Sequence, residues 1–416
     1  MKRNLKRILL FVLVVLACGF VSCKTTNKTR KTLKLKENAN FIRVNKVVYP
    51  QSKTSNEVND QNFITILNKF TNTTTKEIFK SNKNEIYSPM SLYFALAMLY
   101  EACDGESALE LENLLSINDK TLLRSELKKV YTNNYYNNEL GTSEIANSIW
   151  VNKMYEVKKD YAKILEENYF VDAFRTAFDD DSLEQICNWV NYHTYDLLNM
   201  KPEQLLLDEA TAFALINTVY FENRWKKEMR KEDIYKELFD NKKMVTYLKH
   251  TVLSSYYENE MYLEAFDHYS NGCKVRYMLP NLGYTVDDLL NSDIFLKKVF
   301  YNSADVIVSV PKFEVSSELN IAKTLQALGV TNIFDPFKAT ISALYGENTF
   351  VSSIRQNAKV IFDENGTKAA AVTIIGGEAT ATPIKRKIEL TLNRPFLYVI
   401  YDANSLPLFV GVIRSL

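Results

Sequence analysis

Residues 363–373 read Asp363-Glu364-Asn365-Gly366-Thr367-Lys368-Ala369-Ala370-Ala371-Val372-Thr373, a run of small side chains about fifty residues from the end of a 416-residue chain. In an extended chain alternate side chains share a face, so Thr367, Ala369, Ala371 and Thr373 fall together and Lys368 falls opposite. The first face is small and uncharged throughout. A segment that slides between two existing strands can carry neither bulk nor an unpaired charge on its buried side, because burying such a charge is strongly unfavourable. Alanine is also the best helix former, and composition alone favours a short surface helix. The residues that follow argue otherwise: Val372, Thr373, Ile374 and Ile375 are β-branched, and Gly376-Gly377 interrupts any regular element. The stretch reads as a mobile loop with strand potential.

With 46% hydrophobic residues the chain can bury a sizeable core. Its 51 basic and 50 acidic residues nearly cancel, so no global field points to nucleic acid or to an acidic substrate. One local basic set, Lys120, Arg124, Lys128 and Lys129, lies at helical spacing and reads as a solvated helix face, with polyanion docking as the alternative.

At the N-terminus Lys2, Arg3, Lys6 and Arg7 precede the apolar run Ile8 to Ala17, the layout of a secretory signal and short for a spanning helix. Cys18 and Cys23 close it. A small residue before a cysteine at this point resembles the lipobox of bacterial lipoproteins, which implies a lipid anchor on Cys23, or on Cys18. The alternative is a plain cleaved signal. The expected address is export, to a bacterial cell envelope as a periplasmic or surface-facing lipoprotein, or by secretion. Residues 1–22 are thus read as a signal peptide. Residues 23–59, rich in Lys, Thr, Asn and Ser, are read as a flexible tether, and 60–416 as one continuous domain. Cys103, Cys187 and Cys273 are isolated, without metal spacing, and read as buried small hydrophobes, although one disulfide remains open.

Apolar periodicity predicts helices over 62–80, 89–103, 106–115, 120–132, 157–168, 182–199 and 207–210. Ser88-Pro89 is a helix-start pair, a cap followed by proline at the first helical position. From Ala212 to Phe221 the chain is almost continuously apolar and suits a strand buried on both faces. Shorter strands are predicted at 244–249, 260–265, 273–279, 305–314, 358–362, 388–392, 395–401 and 407–413. Helices early and strands late indicate an α+β domain with large sheets. Three histidines, His193, His250 and His268, sit in no recognisable catalytic constellation, and no nucleophile elbow, zinc motif or phosphate loop occurs. The chain reads as a non-enzyme without cofactor or metal.

Taken in order, these landmarks resemble the serpin family over nearly the whole folded region. Asn84-Glu-Ile-Tyr-Ser88-Pro89-Met-Ser91-Leu, Asn147-Ser-Ile-Trp150, Asn188-Trp189-Val190, Asn217-Thr-Val-Tyr-Phe221 with Trp225, Val310-Pro311-Lys312-Phe313, Arg394-Pro395-Phe396-Leu397 and Leu408-Phe409-Val410-Gly411 carry the resemblance. It implies three sheets, about nine helices and an exposed reactive centre loop at about 364–387. That loop is bait for a serine or cysteine protease and inserts as a new strand into the large sheet once cut. Insertion of this kind is both a strand addition and a switch driven by stored strain. By the resemblance Glu364, Gly366, Thr367, Ala369, Ala370, Ala371 and Thr373 are the hinge. Ser88, Ser91 and Asn217 lie where the sheet opens, and Trp225 where the loop enters. Gln356 stands where the family often has histidine. The bait bond is read as Thr380-Ala381, with Ala379, Ile384, Lys385 and Arg386 as alternatives. A small residue there suits an elastase-like or subtilisin-like protease; Lys385 or Arg386 suits a trypsin-like one, and papain-like enzymes remain open. A monomer is expected, with membrane contact only through the anchor and no nucleic acid. A non-inhibitory binding protein on the same fold is the alternative function.

Overall fold

The computed structural model describes residues 32–45, 47–50, 57–345, 349–351, 354–367 and 386–416. Among these are nine α-helices: α1 Gln61–Ile78, α2 Pro89–Ala102, α3 Gly105–Leu115, α4 Lys120–Asn133, α5 Lys159–Tyr169, α6 Asp180–His193, α7 Pro202–Leu205, α8 Val286–Asn291 and α9 Ile321–Ala327. The Asp60 carboxylate caps α1 by accepting from the Asn62 and Phe63 amides, and the Ser88 hydroxyl caps α2 by accepting from Ser91. Apolar on nearly every side, α2 is buried on nearly every side and threads the core. Two helix expectations are corrected. α6 stops at His193 rather than at 199, because Tyr195, Asp196 and Asn199 adopt left-handed φ angles that cannot continue a helix. The short helix expected at 207–210 lies at 202–205, started by Pro202.

The strands are, in chain order, β1 Phe41–Arg43, β2 Glu85–Tyr87, β3 Tyr136–Asn138, β4 Gly141–Asn152, β5 Glu156–Val157, β6 Val171–Thr176, β7 Phe213–Arg224, β8 Ile234–Phe239, β9 Lys243–Glu258 and β10 Tyr262–His268. There follow β11 Lys274–Pro280, β12 Asn302–Pro311, β13 Phe313–Asn320, β14 Leu344–Tyr345, β15 Arg355–Phe362, β16 Gly366–Thr367, β17 Lys387–Thr391, β18 Phe396–Tyr401 and β19 Pro407–Ile413. The main sheet runs β1-β6-β4-β7-β16, with β3 hairpinned onto β4, and the antiparallel pair β13–β15 flanks it. Nine strands, the path β17-β12-β9-β10-β11-β18-β19-β2 with β8 paired beside it onto β9, make the other two sheets of the fold. They are joined through β9, which pairs with β8 over 243–248, with β12 over 247–256 and with β10 over 256–258. The single strand expected at 305–314 is two, parted at Lys312 directly after Pro311, which has no amide to give a ladder.

The segment read as a tether is corrected for its second half. Phe41–Arg43 pairs antiparallel with Thr176–Phe174 on the outer edge of the main sheet. Phe41 is buried and stacks at 5.4 Å on Phe174, with Trp150 at 5.8 Å. The Tyr49 hydroxyl donates to Asp172 at 2.6 Å, and the Asn45 side chain brackets the strand through Val171 O and Ala173 N. A few apolar anchors suffice because the sheet edge supplies the backbone partners the segment lacks on its own. The predicted signal and both anchor candidates, Cys18 and Cys23, lie outside the described residues.

Two apolar clusters hold the layers. The larger fills the space between the two sheet systems and α1–α5; the smaller, with Trp150, Phe174 and Trp189, lies between α6 and the outer face of the main sheet. Odd-numbered β7 residues such as Phe221 face the larger cluster, even-numbered ones such as Ala214 the smaller. Cys103, Cys187 and Cys273 are buried and free, and burial pushes the Cys103 thiol up to about 12. No described helix is long and apolar enough to cross a membrane.

Candidate functional site

At Asp363 the chain leaves β15 and reverses. The Asp363 amide donates to Gly366 O at 3.0 Å, the Gly366 amide to Asp363 O at 3.2 Å, and the Asp363 carboxylate accepts from the Asn365 amide at 2.8 Å. Gly366 sits at φ +131°, and a Cβ there would lie 2.1 Å from the carbonyl oxygen of Asn223, so only glycine fits. The reversed chain then starts a strand on the free side of β7, Gly366 opposite Arg224 and Thr367 opposite Asn223.

A clasp holds this turn. Trp225, nearly fully buried, donates its indole N–H to Asp363 O at 3.0 Å and its amide to Asn365 O at 3.4 Å, and stacks on Tyr269 at 4.8 Å. Lys312 pairs with Glu364, and this hydrogen bond holds the Glu364 carboxyl below its ordinary value. Burial moves neighbouring Asp363 the other way. Trp225 and Glu364 are legible from sequence. Lys312 is present there only as a letter in Val310-Pro311-Lys312-Phe313, with nothing to announce its charge partner.

Below the turn, β7 and β15 share no ladder among the described residues. Between them lies a groove of about 80 Å³, bounded by Ala214 to Thr218 of β7, Arg355 and Asn357 of β15, and Val190, Leu198 and Met200. The N-terminus of α2 is bonded to both flanks. Ser91 donates to Asn217 on β7, and Asn217 in turn to Asn147 on β4. Ser88 and Gln356 on β15 exchange two hydrogen bonds, Ser88 N to Oε1 at 2.8 Å and Nε2 to Ser88 O at 2.9 Å. Widening the slot must therefore strain or re-route one of these links. The structure thus brings Ser88, Ser91, Asn217 and Gln356 together at mid-sheet and Glu364, Gly366 and Trp225 at its top.

Lys368, Ala369, Ala370, Ala371 and Thr373, and the bait candidates Ala379, Thr380, Ala381, Ile384 and Lys385, lie outside the described residues. Arg386 lies within them. Its guanidinium donates to Glu258 at 2.7 Å and to the Tyr256 hydroxyl at 3.0 Å, and its carbonyl accepts from the Asp305 amide at 3.1 Å. These bonds tie Arg386 to β9 and to the start of β12.

The histidines have packing roles. His193 meets Glu144 at 2.5 Å, and His250 meets Asp267 at 2.6 Å, both pairs buried. Ser254 Oγ, 3.5 Å from His268, donates at 2.7 Å to Phe266 O. The basic face of α4 is largely engaged within the protein: Arg124 makes two 2.7 Å bonds to Glu101, Lys129 one of 2.6 Å to Glu126, and Lys120 one of 3.0 Å to Tyr100 O. Among the described residues no cluster of three His, Cys, Asp or Glu side chains could hold a metal ion.

A large sheet in which β7 and β15 share no ladder among the described residues, and a chain that turns back from β15 onto β7, define an α+β fold. The chain belongs to the serpin (serine protease inhibitor) family, whose model matches residues 65–416. It is similar to intracellular coagulation inhibitor 2 of Tachypleus tridentatus, 25% identical over 380 residues that cover 86% of this chain and 91% of that one. Leukocyte elastase inhibitor A of Mus musculus is 26% identical, covering 80% and 93%. Among solved structures, the thermophilic serpin tengpin in its native state superposes with a TM-score of 0.78 at 27% identity, covering 91% of this chain and all of that one.

Proposed function

We propose that the chain is a single-use inhibitor of serine proteases, and of cysteine proteases by the same chemistry, with the loop as bait and the β7–β15 slot as its destination. The observation that carries the reading is the register of β16 on β7. Carried on, that register would set Ala369 opposite Phe221, Ala371 opposite Val219 and Thr373 opposite Asn217, on the face of the larger core cluster. Lys368 would meet Glu222 on the other face. The small, uncharged series therefore matches the side on which bulk or charge is least tolerated.

In the proposed reaction the target's serine or cysteine attacks the Thr380 carbonyl and the bond to the Ala381 nitrogen breaks. That nitrogen leaves with a proton from the target's general acid, and an acyl-enzyme remains. Eleven residues, 367–377, would pair with β7 over 213–223. At about 1 kcal/mol net per hydrogen bond, insertion is worth on the order of 10 kcal/mol. That is comparable to a domain's whole stability. The small residues at 379–381 and the elastase inhibitor among the relatives support an elastase-like or subtilisin-like target. Lys385 keeps a trypsin-like target as the alternative.

The test is to mix the mature protein with elastase-like, subtilisin-like, trypsin-like and papain-like proteases and run a denaturing gel. A covalent complex with at least one is expected; cleavage without complex in every case would refute trapping. Melting before and after loop cleavage separates the non-inhibitory binding protein, which would show no rise. We further propose export and lipid anchoring on Cys23, from Lys2, Arg3, Lys6, Arg7 and the apolar run that follows. Labelling with a radioactive fatty acid, lost in Cys23→Ser and kept in Cys18→Ser, is the expected outcome.

A further inference from the structure

We infer that Asn223, Tyr136 and Asn271 form a polar latch that fixes the first pairing position of the inserting loop, and so sets how often insertion wins over release of the protease. The inference rests on the inhibitory reading above. Asn223 is fully buried. Its Oδ1 accepts from the Tyr136 hydroxyl at 3.2 Å and from Asn271 Nδ2 at 2.6 Å, and its Nδ2 meets the Tyr136 oxygen at 3.0 Å. Asn271 also donates to Tyr136, and its Oδ1 accepts from the Cys273 amide at 3.1 Å.

These side chains come from three places: β7, the β3 arm of the hairpin on β4, and the turn between β10 and β11. The Asn223 amide group therefore ties the top of β7 to its own sheet and to the other sheet system at once. Its main chain, meanwhile, is the partner of Thr367. Two glycines leave it no slack. A Cβ on Gly141 would lie 2.1 Å from Asn223 Oδ1, and one on Gly366 2.1 Å from Asn223 O.

Capture is a race between strand insertion and hydrolysis of the acyl bond. The first pairs of an inserting strand carry the ordering cost that later pairs repay, so a template already held in place speeds the step that decides the race. As a latch the three residues need no contact with the reacting atoms. They are positioning residues, and their loss should change partitioning without changing the end state.

The test uses the full-length mature protein and a protease it captures. Tyr136→Phe removes one hydroxyl with little change of shape, and Asn271→Ala removes the link to the β10–β11 turn. Both are expected to raise the moles of inhibitor consumed per mole of protease at least threefold, while the rise in melting temperature after loop cleavage stays that of wild type. Unchanged stoichiometry in correctly folded variants overturns the latch. So does a lost melting rise in Tyr136→Phe, which would place the triad in the end state rather than the first step. A wild-type protein with neither capture nor melting rise overturns the inhibitory reading, and the latch with it.

Discussion

Exchanging Lys368 and Ala369 moves one positive charge by a single residue and leaves composition and net charge untouched. In the wild type the inserted register would put Lys368 across from Glu222, which is partly exposed, and Ala369 across from Phe221, which is buried beside Tyr269 at 5.4 Å. In Lys368→Ala/Ala369→Lys the ammonium would have to enter that aromatic contact. An uncompensated buried charge costs about 3–5 kcal/mol. Because position 369 is the second beyond the two pairs already formed, the cost falls before later pairs can repay it and so acts as a barrier. At 1.36 kcal/mol per decade of rate, even about 3 kcal/mol slows insertion by roughly two orders of magnitude. Hydrolysis of the acyl bond is unaffected, so the variant should become a substrate. Complex yield on a denaturing gel should collapse, and the rise in melting temperature on cleavage should shrink. Wild-type complex yield from the exchanged variant would refute the assignment of faces.

Three further outcomes are expected. Phe41→Ala, which empties a buried site between Trp150 and Phe174, should lower stability to chemical denaturant by about 3–4 kcal/mol. Had residues 41–43 been a tether, nothing would change. Gln356→Ala leaves the buried Ser88 amide and carbonyl without their side-chain partner and should cost about 2–4 kcal/mol in the same assay. A loss below about 0.5 kcal/mol would mean water substitutes there. Glu364 is held below its ordinary value of 4.5 by Lys312, so its contribution is present above that value and is lost as pH falls through the lowered one. The stability difference between wild type and Glu364→Gln should thus be present at neutral pH and fade on acidification below 4.5. Asp363 is shifted the opposite way, chiefly by burial and in part by the Glu364 charge, so Glu364→Gln also relieves that part of its rise. A difference that is constant from neutral to acid pH would show that the ion pair contributes nothing.

Helix starts and late strands are legible because each is a local signal: a cap followed by proline, an apolar run. β4 is not. Its residues Ser143, Glu144, Asn147 and Ser148 are buried polar groups in a strand enclosed on both sides, where an unbroken apolar run is the sequence sign. Burial of Glu144, Asn147 and Ser148 is tolerated because partners elsewhere in the chain meet them, as His193 meets Glu144, Ile216 O accepts from Ser148 at 3.3 Å and Tyr169 O accepts from Asn147 at 2.7 Å. The docking of Phe41–Arg43 is hidden for the same reason: its stabilising surface belongs to β6, more than a hundred residues later. At the site, the hinge glycine and Trp225 stand out as types. Lys312, Tyr136 and Asn223 act through distant partners, and no single-sequence pattern marks such pairs.

The three-residue β1 has a consequence for how molecules meet one another. A sheet edge with open amides and carbonyls invites strands from neighbouring chains. Here one flank of the main sheet is closed by a strand too short to serve as a template, ending on the charge of Arg43 and turning away into the Asn45–Tyr49 contacts. Among the described residues, the main-sheet backbone left without a partner strand is then on the opposite, slot-facing side of β7. At high concentration, any cross-chain strand exchange should start there rather than at the outer rim.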